Sequence, residues 1–166
     1  MATAITALAT TTLSGASASI TFGSIPSTYR DFIVVVSGFL ASGSSTDLKI
    51  QLNSDTASNY YYVGMSGNGG SATSFFGGTQ TSFLVNSNVQ LATGGPGMWR
   101  IEILDATATD KHKTLLSRAD ASASTAATDA NAGRWASTSA VNTIKVFPAV
   151  GSFGANTTLS LYGVAS

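Results

Sequence analysis

Cysteine is absent from the 166 residues, which excludes disulfides, thiolate nucleophiles and cysteine-ligated zinc together. Charge is scarce: eight basic residues balance eight acidic ones, 10% of the chain, where a soluble domain ordinarily carries about a quarter. Neither sign clusters, so no basic stripe exists to attract phosphate backbones, and nucleic-acid binding is disfavoured. Long hydrophobic runs are lacking too. The longest strongly apolar stretch, Phe32-Ile33-Val34-Val35-Val36, is far too short to cross a bilayer, so no membrane partner is expected. The start, Met1-Ala2-Thr3-Ala4-Ile5, has neither the charged opening nor the apolar stretch of a secretory signal, which predicts synthesis without export machinery.

Small side chains fill the space that charge leaves. Ala, Ser, Thr and Gly make up 87 of the residues. Hydroxyls on short side chains solvate strands and turns, and they let neighbouring subunits approach closely over wide, weakly polar surfaces. The apolar fraction is ordinary at 43%, so the chain is expected to bury a real core rather than remain disordered.

The dominant period is two, the period of a half-buried strand. Leu48, Ile50 and Leu52 alternate with Lys49, Gln51 and Asn53; Ile20 and Phe22 alternate with Ser19 and Thr21; Ile101 and Ile103 alternate with Arg100 and Glu102; Leu159 and Leu161 alternate with Thr158, Ser160 and Tyr162. The run at 32–36 has no polar face and reads as a central strand covered on both sides or facing a subunit contact. Further strands are expected at 60–65, 82–85, 113–118 and 143–147. Turn chemistry punctuates them at Gly23-Ser24-Ile25-Pro26, Ser42-Gly43-Ser44-Ser45, Gly67-Asn68-Gly69-Gly70, Gly77-Gly78 and Gly94-Gly95-Pro96-Gly97. Residues 119–131, rich in Ala, Ser, Thr and Asp, read as an irregular loop. About ten short antiparallel strands without a convincing helix predict an all-β fold, a β-sandwich forming one domain over 1–166 and most simply a jelly roll. Residues 1–12 fit either an edge strand or an N-terminal arm that pairs with a neighbour.

No residue pattern selects a catalytic centre. His112, the only histidine, sits between two lysines with no nucleophile motif to serve, and reads as an exposed turn residue. Asn53, Asp55, Asn59 and Tyr60 lie in Asn53-Ser54-Asp55-Thr56-Ala57-Ser58-Asn59-Tyr60, whose recurrent oxygens suit a ligand or cation loop. The bidentate glutamate and glycine placement of an EF-hand are missing, and Asx and Ser side chains equally build tight turns on their own backbone. Tyr60 and Tyr62 fall on one face of a strand and Tyr61 on the other, with sugar stacking and core packing as the two readings. Trp99-Arg100 and Arg134-Trp135 are either contact anchors or core tryptophans beside solvated arginines. The best contact candidates are Tyr61, Phe75, Phe76 and Trp135. The expectation is a protein that is not an enzyme and has no cofactor or metal.

Four segments taken together carry a resemblance. Ser17-Ala18-Ser19-Ile20-Thr21-Phe22-Gly23-Ser24-Ile25-Pro26-Ser27-Thr28-Tyr29-Arg30-Asp31-Phe32 is followed by Leu52-Asn53-Ser54-Asp55-Thr56-Ala57-Ser58-Asn59-Tyr60, then Gly133-Arg134-Trp135-Ala136-Ser137-Thr138, then Leu159-Ser160-Leu161-Tyr162-Gly163. In this order they resemble a β-sandwich module of tailed-bacteriophage virions, found in capsid decoration (cement) proteins and in tail-fibre or appendage proteins. Here Arg134 precedes Trp135, the reverse of the family's usual order. The resemblance implies a virion structural protein assembled in the host cytoplasm, most simply a homotrimer bridging copies of the major capsid protein. The alternative it implies is a tail-fibre or spike module that recognises host surface glycans. The absence of a fibrous shaft or coiled coil favours the decoration reading.

Overall fold

A computed structural model describes residues 4–121 and 127–165. Among the described residues the chain is all-β, with twelve strands in two antiparallel sheets and no helix. The larger sheet has eight strands. Third from one edge is β3 (Asp31–Gly38), flanked by β12 (Thr158–Val164) and β8 (Gly97–Leu104). On one side β12 pairs with the edge strand β1 (Ile5–Thr12). On the other, β8 leads through β9 (Lys113–Ala121), β10 (Thr128–Trp135) and β5 (Tyr60–Gly67) to the opposite edge, β6 (Ala72–Gln80). The smaller sheet runs β2 (Ile20–Phe22), β11 (Ile144–Pro148), β4 (Leu48–Leu52) and β7 (Phe83–Leu84).

The core forms where the period-two faces of the two sheets meet. Phe32, Val34, Val36, Trp99, Ile101 and Ile103 from the large sheet pack in one cluster with Ile20, Phe22, Leu48, Ile50, Leu52, Ile144 and Val146 from the small one. Burying each of these larger side chains stabilises the fold by about 1.5–3 kcal/mol. The indole N–H of Trp99 is satisfied inside, donating to the carbonyl of Val89 at 3.2 Å. The strand at 32–36 is interior, with Phe32, Val34 and Val36 sealed in the core and Ile33 nearly buried on the other face.

Residues 5–12 are an edge strand, held partly by hydroxyl pairs: Thr10 to Ser160 and Thr12 to Thr158, each 3.0 Å across β1 and β12. Such cross-strand pairs stabilise by about 0.2–1 kcal/mol. Two expectations need correction. Gly77-Gly78 does not end a strand but lies inside β6, because the ring of Tyr62 covers the Gly77 Cα where a Cβ would collide with it. The stretch 119–131 is not one irregular loop. Its ends belong to β9 and β10, which pair in unbroken register from Thr128 opposite Asp120 to Trp135 opposite Lys113. Ala-, Asn- and Asp-containing strands are poor by propensity, and pairing with the apolar neighbours overrides it. Residues 122–126 lie outside the described residues.

Candidate docking face of the eight-stranded sheet

The polarity of the large sheet reverses across its width. Around β3 and β8 the inner face is apolar, and the outer face of β8 carries Arg100 and Glu102. Around β5, β9 and β10 the inner face carries buried Ser66, Lys113, Ser117, Asp129 and Asn131 beside the core residues Tyr60, Leu115, Ala119 and Trp135, while the outer face carries Val63, Met65, Leu116, Ala130 and Ala132 together with exposed Arg118 and Arg134. Val63 is 62% exposed and Met65 66% exposed. Register places Phe76 of β6 beside Val63, and it is 82% exposed.

The inner half of this inversion is explained by what it holds. Residues 84–89 run across the inner face without a long strand ladder of their own, so their backbone groups need side-chain partners. Asp129, only 1% exposed, supplies one carboxylate oxygen that accepts N–H bonds from Ser87, Asn88 and Val89 at 2.7, 2.9 and 3.0 Å. Asn131 Nδ2 donates to the Leu84 carbonyl at 2.9 Å and Ser117 Oγ to the Val85 carbonyl at 2.7 Å. Asn86 Oδ1 accepts from the Leu48 N–H at 2.6 Å, tying the segment to the small sheet. At the other end of β9, Lys113 Nζ donates to the carbonyls of Ala108 and Lys111 at 2.7 and 2.8 Å. Burial pushes its pKa down, against the opposing pull of Asp110 and Asp105.

Among the described residues no other element packs over the outer half. Its side chains line a concavity of about 820 Å³ over β5, β10, β9 and β8. Arg100 and Arg118 lie directly opposite each other on β8 and β9 at its β8 side, an arrangement that like-charge repulsion disfavours. Arg100 Nε donates to Glu102 at 3.0 Å, whereas Arg118 has no carboxylate partner among the described residues.

The residues singled out from sequence fall in different places. Phe76 is on this face. Tyr61 points the same way but is half-buried beneath the Arg134 guanidinium, 4.6 Å from its ring centroid. Phe75 points inward and covers Gly64, where a Cβ would collide with its ring. Trp135 is no contact residue: it is 2% exposed, stacked on Tyr60 with ring centroids 6.4 Å apart. Trp99 is likewise in the core, and Arg100 and Arg134 beside the two tryptophans are exposed.

The 53–60 loop spends its polar atoms on itself and its neighbours. Asn53 Oδ1 accepts from the N–H groups of Asn142 and Thr143, and its Nδ2 donates to the Ala140 carbonyl. Asp55 accepts from the Ala57 N–H, from Asn59 Nδ2 and, at 2.6 Å, from the Trp135 indole. Burial pushes the Asp55 carboxyl up, but these three bonds outweigh it and hold the pKa below the usual carboxylate value. The Tyr60 hydroxyl is buried against both backbone groups of Leu52, and burial pushes the phenol pKa up. The loop is thus a structured turn that ties β4 and β5 to the 140–143 segment. Among the described residues no group of three or more His, Asp or Glu side chains is placed to hold a metal. His112 is exposed just before β9.

Val63, Met65, Leu116 and Arg118 escaped the sequence reading. The available signal was the period-two extension of Tyr61 through Val63 to Met65, together with the adjacent Leu115-Leu116, which puts leucine on both faces of β9. No protein-family model matches this chain, and no curated protein matches it.

Proposed function

We propose that this chain is a structural protein of a tailed-phage virion, a decoration protein that sits on the head and bridges major capsid subunits through the outer face of β5, β9 and β10. The observation that carries the docking part is the outward apolar patch of Val63, Met65 and Phe76, set over strands whose inner face includes buried Ser66, Ser117, Asp129 and Asn131. Exposed contiguous apolar surface of this kind marks protein contact sites. The virion context rests on the four-segment resemblance. The interleaving of β2, β4, β7 and β11 in one sheet with β3, β5, β6 and the β8–β10 meander in the other supports reading the sandwich as a jelly roll. Scarce charge fits a contact that depends weakly on salt. Its mechanism is mechanical: packed DNA pushes the shell outward, and a bridging subunit adds interface that resists separation.

The glycan-binding alternative has less support, because Tyr60 is buried and the oxygens of Asn53 and Asp55 are already bonded within the fold. The test is quantitative mass spectrometry of purified virions, combined with add-back of Met65→Glu protein to heads lacking this chain. Copies in proportion to the major capsid protein, and loss of head binding by the variant, are the expected results. A count of only a few per particle would move the protein to the tail and overturn the decoration reading.

A further inference from the structure

Sheet edges carry unpaired backbone groups, and proteins defend them by shortness, charge, proline or bulges. Of the four edges here, β2 and β7 are only three and two residues long. The edge strand β1 carries a register shift in its middle, between Ala7 and Ala9. The remaining edge, β6, is nine residues long, Ala72-Thr73-Ser74-Phe75-Phe76-Gly77-Gly78-Thr79-Gln80, with no charge and no proline. Its register shift lies at the far end, opposite Tyr60 and Tyr62, so 72–77 is regular. The outward backbone groups of 72–77 have no partner among the described residues. Phe76, the most exposed of the large apolar side chains, stands in the middle of this strand.

We propose that β6 pairs antiparallel with β6 of a second copy of this chain about a two-fold axis, joining two eight-stranded sheets into one. The strand is self-complementary about Phe76. That register sets Phe76 against Phe76 of the second copy on the outer face, an aromatic cross-strand pair. It sets Phe75 against Gly77, so Phe75 meets a glycine on this side as it does across β5 in Gly64. Ser74 meets Gly78, with no charge in any pair, and the pairing stops there, because Thr79 is in the left-handed region and the register with β5 shifts before Gln80. A two-fold axis perpendicular to the sheet keeps both outer faces on one side, so the two Val63–Met65 surfaces become a single wider face able to engage two sites at once. The interface is isologous and closes at two copies, in place of the three-fold arrangement the resemblance implies.

The experiment is the mass of the full chain in solution by sedimentation velocity over a wide concentration range, with hydrogen exchange read at β6. The wild type is expected at the mass of two chains, with 74–78 protected, and Ser74→Lys and Phe76→Lys at the mass of one with protection lost there alone. Because the chain has no cysteine, Phe76→Cys adds a second readout. Mild oxidation is expected to link two copies through position 76, while the exposed control Thr21→Cys stays unlinked. A wild type that stays monomeric, or a trimer, or a dimer whose β6 amides exchange as fast as those of the exposed 67–70 turn, overturns the proposal. Far-UV circular dichroism separates loss of pairing from loss of folding in each variant.

Discussion

The two halves of the large sheet obey the same alternation and put it to opposite uses. In the β3–β8 half, every second residue enters an aliphatic and aromatic core, and the intervening residues of β8 include Arg100 and Glu102 as well as exposed Met98. In the β5–β9–β10 half, buried Ser117, Asp129 and Asn131 grip the backbone of 84–89 beside apolar Leu115 and Trp135, and the solvent side sets aliphatic Val63, Met65 and Leu116 among Arg118 and Arg134. A strand pattern therefore reports which residues share a face and not which face is the core. Where the inside must hold an irregular segment it becomes polar, and apolar residues placed outside are left free to meet a partner.

The comparison breaks most visibly if the polar interior is dispensable. Asp129→Ala leaves three N–H donors without their carboxylate, that of Val89 buried and those of Ser87 and Asn88 part-buried, so a loss of about 3–5 kcal/mol is expected. Ile101→Ala, in the apolar half, is expected to cost about 2–5 kcal/mol. Urea midpoints measured side by side test this, and an Asp129→Ala loss below about 1 kcal/mol would show that the two halves are not equivalent anchors.

Trp135→Phe keeps the stack on Tyr60 and removes the indole bond to a carboxylate, which predicts a smaller loss of about 1.5–3 kcal/mol. The same site gives a pH signature. The Asp55 carboxyl sits below its usual pKa in the fold, so its contribution is present at neutral pH and is lost as pH falls below about 4 toward the depressed folded value. Urea unfolding of Asp55→Asn should show a flatter acid limb than the wild type. Asp47, whose pKa burial raises, works the other way: its contribution is present in acid and fades as pH rises through the carboxylate range.

On the outer face, Met65→Glu should leave stability within about 0.5 kcal/mol, since the side chain is already in solvent. A large loss would mean that the outer surface is structural, and the contrast between the two faces would fail. The smallest effect is expected from Arg118→Glu. Removing the like-charge pair with Arg100 should raise stability by a few tenths of a kcal/mol, about the size of one cross-strand pair, and the gain should shrink with added salt.

Much of the fold was legible from spacing. The strands around Ile20, Leu48, Ile101 and Leu159 follow directly from alternation, and the all-β class from their number and the turn residues between them. Strand β6 was hidden because Gly77-Gly78 looks like a turn until a tyrosine from the neighbouring strand is seen lying over it. The strand-forming parts of 119–131 were hidden because Asp129 and Asn131 are strand-poor residues whose burial makes sense only opposite the backbone they bind. Tyr61, Phe76 and Trp135 were singled out by their aromatic character, and the fold exposes Phe76, half-buries Tyr61 and seals Trp135 in the core. Aromatic rings serve core and interface alike, and their sequence neighbours do not separate the two.

By itself the sequence determined the period, the strand class, the scarcity of charge and the absence of thiol chemistry, because these are properties of residues and their immediate neighbours. Only the tertiary structure decided which face of β5, β9 and β10 is inside, that the 53–60 oxygens are consumed in a turn, and that β6 is a long undefended edge. Each of those depends on what arrives from a distant part of the chain: 84–89 over β10, 140–143 against Asn53, and, among the described residues, no strand on the outer side of β6. Partners that far apart in the chain are brought together by packing, and no local pattern encodes them.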